Sequence, residues 1–139
     1  MMQGIVNQSC EATIPLVISN VTRQTQLINA VIDTGFTGYL SLSREIIEAL
    51  KLPWTGIDRG TLGDGSEVTF EVYAVTVIWD GQYRDIPVNE AETDPLIGMS
   101  LLYGYDLPIV RTLFKTEPET RILPLEFGLR ESLKPAFCR

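Results

Sequence analysis

The chain has 139 residues, a formal net charge of −7, two cysteines and no histidine. The length fits one domain. The acidic balance argues against nucleic acid and anionic membranes as partners, because both are held by clustered Lys and Arg. The absence of histidine removes the Ser-His-Asp and Cys-His nucleophilic schemes and most zinc sites.

The hydrophobic share is 45% and the charged share 21%, as in an ordinary globular protein that builds its own core. Cys10 and Cys138 stand near opposite ends of the chain. Two thiols are too few for a disulfide framework or a zinc site, so a reduced, cytoplasmic setting is expected, with a bridge between the termini left open. The start, Met1-Met2-Gln3-Gly4-Ile5, has neither the basic region nor the apolar run of a secretory leader. No stretch approaches the roughly 18 apolar residues of a membrane span.

In chain order, Thr13 to Ser19 and Gln26 to Ile32 are rich in β-branched residues. The polar segment Asn20 to Thr25 lies between them, which predicts a β-hairpin. The second strand becomes continuously apolar at Ala30-Val31-Ile32, as a strand buried on both faces would. Asp33-Thr34-Gly35-Phe36-Thr37-Gly38 follows, and its two glycines predict a tight loop. Tyr39 to Leu42 predicts a short strand. Ser43 reads as the N-cap of a helix, with Glu45 in its first turn and Pro53 as its stop.

Arg59 to Phe70 predicts a hairpin with its tip at Gly63-Asp64-Gly65. Val68 to Trp79 predicts a long strand, Asp80-Gly81 a second tight turn, and Tyr83 to Val88 the return. Pro87 predicts an edge or an end there. Leu96-Ile97-Gly98 leads into a short helix from Met99 that ends near Gly104. Leu107 to Phe114 and Thr120 to Leu125 predict two more strands around a turn at Glu117-Pro118. Glu126 to Arg139 shows only weak periodicity. Many short strands, one or two short helices and regularly spaced turns predict an all-β barrel or sandwich.

The informative chemistry starts where Ala30-Val31-Ile32 runs straight into Asp33. A carboxylate at the end of an apolar strand is costly unless it is hydrogen-bonded or put to use. Taken alone, Asp33 also reads as a turn cap after a strand. Asp64 reads as turn geometry, and Trp54, Tyr73 and Trp79 as core or dimer packing. Glu90, Glu92 and Asp94 form a loose acidic cluster without the regular ligand spacing of a calcium loop. Neither a metal nor a cofactor is expected.

Three segments taken in order narrow the reading: VIDTGFTGYLSLSREIIEALKLP, TLGDGSEV and DPLIGMSLLYGYDL. Together they resemble the retropepsin-like aspartic proteases, and most closely the small bacterial members of that family. The resemblance spans about Thr13 to Leu125, so residues 1–125 are expected to form the protease domain and 126–139 a tail. It implies a closed acid-protease-type barrel that pairs about a two-fold axis into a homodimer. Asp33 would then be the catalytic carboxylate. Thr34 would hydrogen-bond across the axis, and Gly35 would lie under the substrate. Leu62, Gly63, Asp64 and Gly65, with Ser66, would form a flap. Ile97 and Gly98 would cross the Asp33 loop and support it. Phe36 stands where the viral enzymes have a small residue, and there it would crowd the cleft or build a subsite.

The implied activity is hydrolysis of a peptide or unfolded protein by two Asp33 side chains, one per subunit. The alternative is a non-catalytic dimerisation or peptide-binding module of the same fold. The length beyond Val110 leaves two terminal arrangements open. The chain ends could interleave between subunits, or a Leu107–Leu125 hairpin could add strands to each subunit.

Overall fold

The computed structural model describes residues 2–109 and 119–124. Within them the chain forms β1 (Met2–Val6), β2 (Ala12–Ser19), β3 (Thr25–Ile32), β4 (Leu40–Leu42), α1 (Arg44–Ala49), β5 (Trp54–Thr61), β6 (Glu67–Trp79), β7 (Gln82–Glu90), β8 (Leu96–Ile97), α2 (Met99–Leu102), β9 (Tyr105–Asp106) and β10 (Glu119–Pro124).

Period-two alternation builds the interior. Ile14, Leu16 and Ile18 of β2 point inward, as do Ile28 and Ala30 of β3, Val75, Val77 and Trp79 of β6, and Ile86 and Val88 of β7. The hairpin β2–β3 keeps full register from Thr13↔Val31 to Ser19↔Thr25. The longer hairpin β6–β7 runs from Val72↔Asn89 to Trp79↔Gln82 around Asp80-Gly81, where both turn residues have positive φ.

The sheet closes because β2 has two neighbours on one side. Its first residues pair with β1, and Val17 to Ser19 pair with β6. The ring then runs β2-β6-β7-β4-β8-β3 and back to β2. Two very short strands, β4 and β8, complete it. All three residues of β4 are buried. Pairing of β7 with β4 begins only at Val88, so Pro87 sits where the outer side of β7 is still unpaired. That is the position the missing N–H allows.

Helix α1 begins at Ser43, whose side chain accepts from the Ile46 N–H. It buries Ile47, and Leu50 follows into the core. Asn20 fastens the β2–β3 turn to this helix: its Nδ2 donates to the Leu50 carbonyl at 2.7 Å, while its Oδ1 accepts from Thr22 and Gln24.

The structure differs from the sequence expectations in three places. β1 had no periodicity to announce it. It exists because β2 and β10 flank it, and a Cβ on Gly4 would stand 1.9 Å from the Thr13 carbonyl oxygen. β5 starts at Trp54 rather than Arg59, through a register shift between Trp54 and Gly56. This hairpin projects from the barrel and buries little, so it carries no clear alternation. At the start of the strand expected from Leu107, Leu107 and Pro108 are not in a strand, and β9 lies two residues earlier. Pro108 cannot donate to a ladder, and its carbonyl accepts instead from the Arg121 N–H. Of the two tryptophans, Trp79 is core, edge-on to Tyr105, and Trp54 is exposed on the single chain, where it donates to Glu71.

The expected strand at Thr120 is β10, which pairs with β1 and β9 of the same chain. The Glu117-Pro118 turn, residues 110–114 and the 126–139 tail lie outside the described residues.

Candidate active site

Asp33 is placed by strand pairing. β3 and β8 run parallel, with Val31 opposite Leu96 and Ile32 opposite Ile97. The ladder extends one step further, as the Asp33 N–H donates to the Ile97 carbonyl at 2.9 Å. The chain then turns: the Phe36 N–H donates to the Asp33 carbonyl at 3.1 Å, and the Gly35 N–H to Asp33 Oδ1 at 2.9 Å. That second bond orients the carboxylate. Asp33 is half-buried, whereas Thr34 and Gly35 are exposed at the tip of the turn.

Residues 96–98 pass between the two limbs of this loop. On the far side β8 pairs antiparallel with β4, Leu40 opposite Ile97, and the Gly98 N–H donates to the Tyr39 carbonyl. Helix α2 then starts directly against the loop. The Met99 N–H donates to the Phe36 carbonyl at 2.8 Å, and the Ser100 N–H to the Gly38 carbonyl at 3.1 Å. Ser100 Oγ donates to the Thr37 carbonyl. Ile97 and Gly98 thus cross the Asp33 loop, and Gly98 must be glycine, since a Cβ there would lie 2.1 Å from the Gly38 oxygen.

The β5–β6 hairpin stands over this loop. The two enclose an open cleft of about 870 Å³. Asp33, Gly35, Phe36, Leu62 and Gly63 line it, together with Phe70 and Val72 from the hairpin and Leu96 from the loop support. Thr34 and Ile97 act from outside the lining, as does Gly98. The remaining tip residues, Asp64 and Gly65, are also outside it. They shape the turn: the Leu62 N–H donates to the Ser66 carbonyl, the Gly65 N–H to the Leu62 carbonyl, and Asp64 Oδ1 accepts from Ser66. The two bonds from Ser66, hydroxyl first and backbone second, hold the Asp64 carboxyl below the usual range. Gly65 has φ +85°, a region that favours glycine.

Sequence reasoning missed several contributors. Ser100 clasps the loop from α2, and Ser41 Oγ accepts from the Leu96 N–H at 3.3 Å. Asp58 lines the cleft from β5. Only Gly38, paired with Gly35 in one short loop, carried a visible signal. The acidic residues Glu90, Glu92 and Asp94 do not form a metal cluster, and no set of three metal-ligating side chains comes together among the described residues.

One carboxylate on a hydrogen-bonded turn, lining a cleft beneath a hairpin, can accept or donate one proton. Acid–base cleavage by carboxylates alone needs two such groups.

No protein-family model matches the chain, and no curated protein matches it. Solved structures do. A retropepsin-like aspartic protease from Rickettsia conorii superposes with a TM-score of 0.54 at 17% identity, covering 86% of this chain and 87% of that one. EIAV protease, solved in complex with the inhibitor HBY-793, matches with a TM-score of 0.48 at 21% identity, covering 69% and 88%. The closed barrel, the loop threaded by residues 96–98 and the overlying hairpin thus belong to one known architecture, and the chain has the fold of the retropepsin-like aspartic proteases.

Proposed function

We propose that this chain is one subunit of a homodimeric aspartic endopeptidase that cleaves peptides or unfolded proteins. The observation that carries the reading is Asp33, held by Ile97 and Gly35 at the wall of a cleft roofed by the β5–β6 hairpin. The fold shared with a retropepsin-like aspartic protease supports it.

The physical argument for two copies is the count of acids. Each chain supplies one Asp33, and a two-fold axis through the exposed Thr34–Gly35 tip brings a second one opposite. Two carboxylates in contact do not both ionise readily, so the pair holds one proton between them. The ionised member takes a proton from the attacking water while the protonated member polarises the scissile carbonyl. As the tetrahedral intermediate collapses, the carboxyl that took the water's proton passes it to the amide nitrogen, which leaves as an amine while the C–N bond breaks. An extended substrate lies in the cleft as an added strand, and the hairpin closes over it.

The test is Asp33→Asn in the full chain, assayed on an unfolded protein at acid and neutral pH. Cleavage is expected to fall by about 10³-fold or more with the fold retained. Undiminished cleavage sinks the assignment. Sedimentation decides the second half: a strict monomer at concentrations where cleavage proceeds excludes a paired Asp33. Peptide binding without cleavage at any pH selects the non-catalytic module instead.

A further inference from the structure

Phe36 does more than border the cleft. Its ring fills the space above two glycines. A Cβ on Gly38 would lie 2.6 Å from both Cε1 and Cζ of Phe36, and the next nearest atom, at 3.5 Å, belongs to the same ring. A Cβ on Gly98 would lie 2.8 Å from Phe36 Cδ2. Gly38 is not among the positive-φ residues, so its backbone conformation does not require glycine. The three atoms nearest that Cβ all belong to the Phe36 ring, so a side chain at position 38 would have to displace the ring. Gly98 also has ordinary extended backbone, φ −97°, but it meets the Gly38 carbonyl oxygen at 2.1 Å whatever residue 36 is.

The backbone of Phe36 is bonded on both sides. Its N–H reaches the Asp33 carbonyl, and its carbonyl accepts from Met99 at the start of α2. Ring and backbone together span the space between the Asp33 turn and the helix behind it. We propose that Phe36 is a positioning residue: its ring, seated in the gap that Gly38 and Gly98 leave open, clamps the Asp33 loop to the start of α2 and so holds the Asp33 carboxylate in one orientation.

The catalytic part of this proposal rests on the endopeptidase reading, whereas the clamp itself does not. A ring that stands where a Cβ would go couples the two positions energetically, and such coupling appears as non-additivity between substitutions. Leucine at position 36 retains much of the apolar volume but has no atoms where Cε1 and Cζ stand.

The experiment uses the full chain as wild type, Phe36→Leu, Gly38→Ala, the double variant, Gly98→Ala and Phe36→Leu with Gly98→Ala. Melting temperature and peptide-cleavage kinetics are measured for each. Gly38→Ala alone is expected to lower Tm by about 5 °C or more, whereas in the Phe36→Leu background it is expected to cost about 1 °C or less. Gly98→Ala is expected to be as damaging in the Phe36→Leu background as in the wild type. Phe36→Leu is expected to lower kcat about tenfold with KM changed less than about threefold, the signature of a misplaced acid rather than a lost substrate contact.

If Gly38→Ala does not fold alone, folding of the double variant is the expected result and its failure overturns the clamp. Phe36→Ala serves as a second background and must give the same asymmetry. Equal Tm losses for Gly38→Ala in both backgrounds overturn the clamp. A rise in KM with kcat unchanged overturns the positioning role and makes Phe36 a wall of the substrate site. A wild-type chain that cleaves nothing refutes the endopeptidase reading, and the melting cycle then still decides the clamp.

Discussion

The Asp33 loop and the hairpin tip at residues 62–66 are both short, glycine-containing turns on the same cleft, yet they are held in opposite ways. The loop is tied to remote chain: Asp33 to Ile97, Phe36 to Met99, and both Gly38 and Thr37 to Ser100. Among the described residues the tip is tied to itself alone, through Leu62 with Ser66, Gly65 with Leu62, and Asp64 with Ser66. Glycine accordingly serves different ends. At positions 38 and 98 it makes room for neighbours. At position 65 it supplies a left-handed backbone, with nothing within 4 Å of a Cβ. One side of the cleft is thus fixed by remote chain, whereas the other is held by local bonds, which place a segment toward the low-stability end of a molecule.

The sharpest way to break this contrast is Gly98→Ala. The Gly38 oxygen is backbone and cannot yield cheaply, so the loop crossing must shift. A loss of about 3 kcal/mol or more is expected in chemical denaturation. A loss within experimental error would mean that the crossing is soft.

The tip is expected to respond far less, and for a different reason. Gly65→Ala forces a side chain into the left-handed region at a cost of about 1 kcal/mol. Gly63→Ala meets open space and no unusual φ, so its effect is expected to stay within about 0.5 kcal/mol. Equal losses at positions 63 and 65 would contradict the conformational explanation.

The smallest effect is on pH. Asp64 is fully exposed, and its carboxyl is held below the usual range by the Ser66 hydroxyl and N–H. A depressed folded pKa means that this contribution to the turn is present above the unfolded value and is lost as pH falls through the folded one. The tip should therefore keep its shape through mild acid and loosen below it. The Ser66 amide, followed by NMR, should titrate with a midpoint below that of an ordinary aspartate. A midpoint at or above the ordinary value, or a titration that survives Asp64→Asn, would refute the bond.

The amino-acid sequence by itself determined the strands with a buried face. Ile14, Leu16 and Ile18, or Val75, Val77 and Trp79, announce β2 and β6 because an inward side chain recurs every second residue. It also announced the turns, whose chemistry is local: Asp80-Gly81, the Ser43 cap, and the hairpin tip around Gly65. Asp33 stood out because an apolar run ending in an acid needs an explanation.

Only the tertiary structure decided the rest, and in each case the deciding partner is distant in sequence or set by the packing around it. β1 forms because β10, more than a hundred residues later, lies beside it. The two-residue strand β8 exists because β3 and β4 enclose it. Barrel closure follows from three residue pairs between β2 and β6. Gly38 leaves room for a ring two residues away, and Gly98 is glycine because of a carbonyl sixty residues back. Side-chain period and turn chemistry are properties of neighbours along the chain, whereas close approach between backbones is a property of neighbours in space.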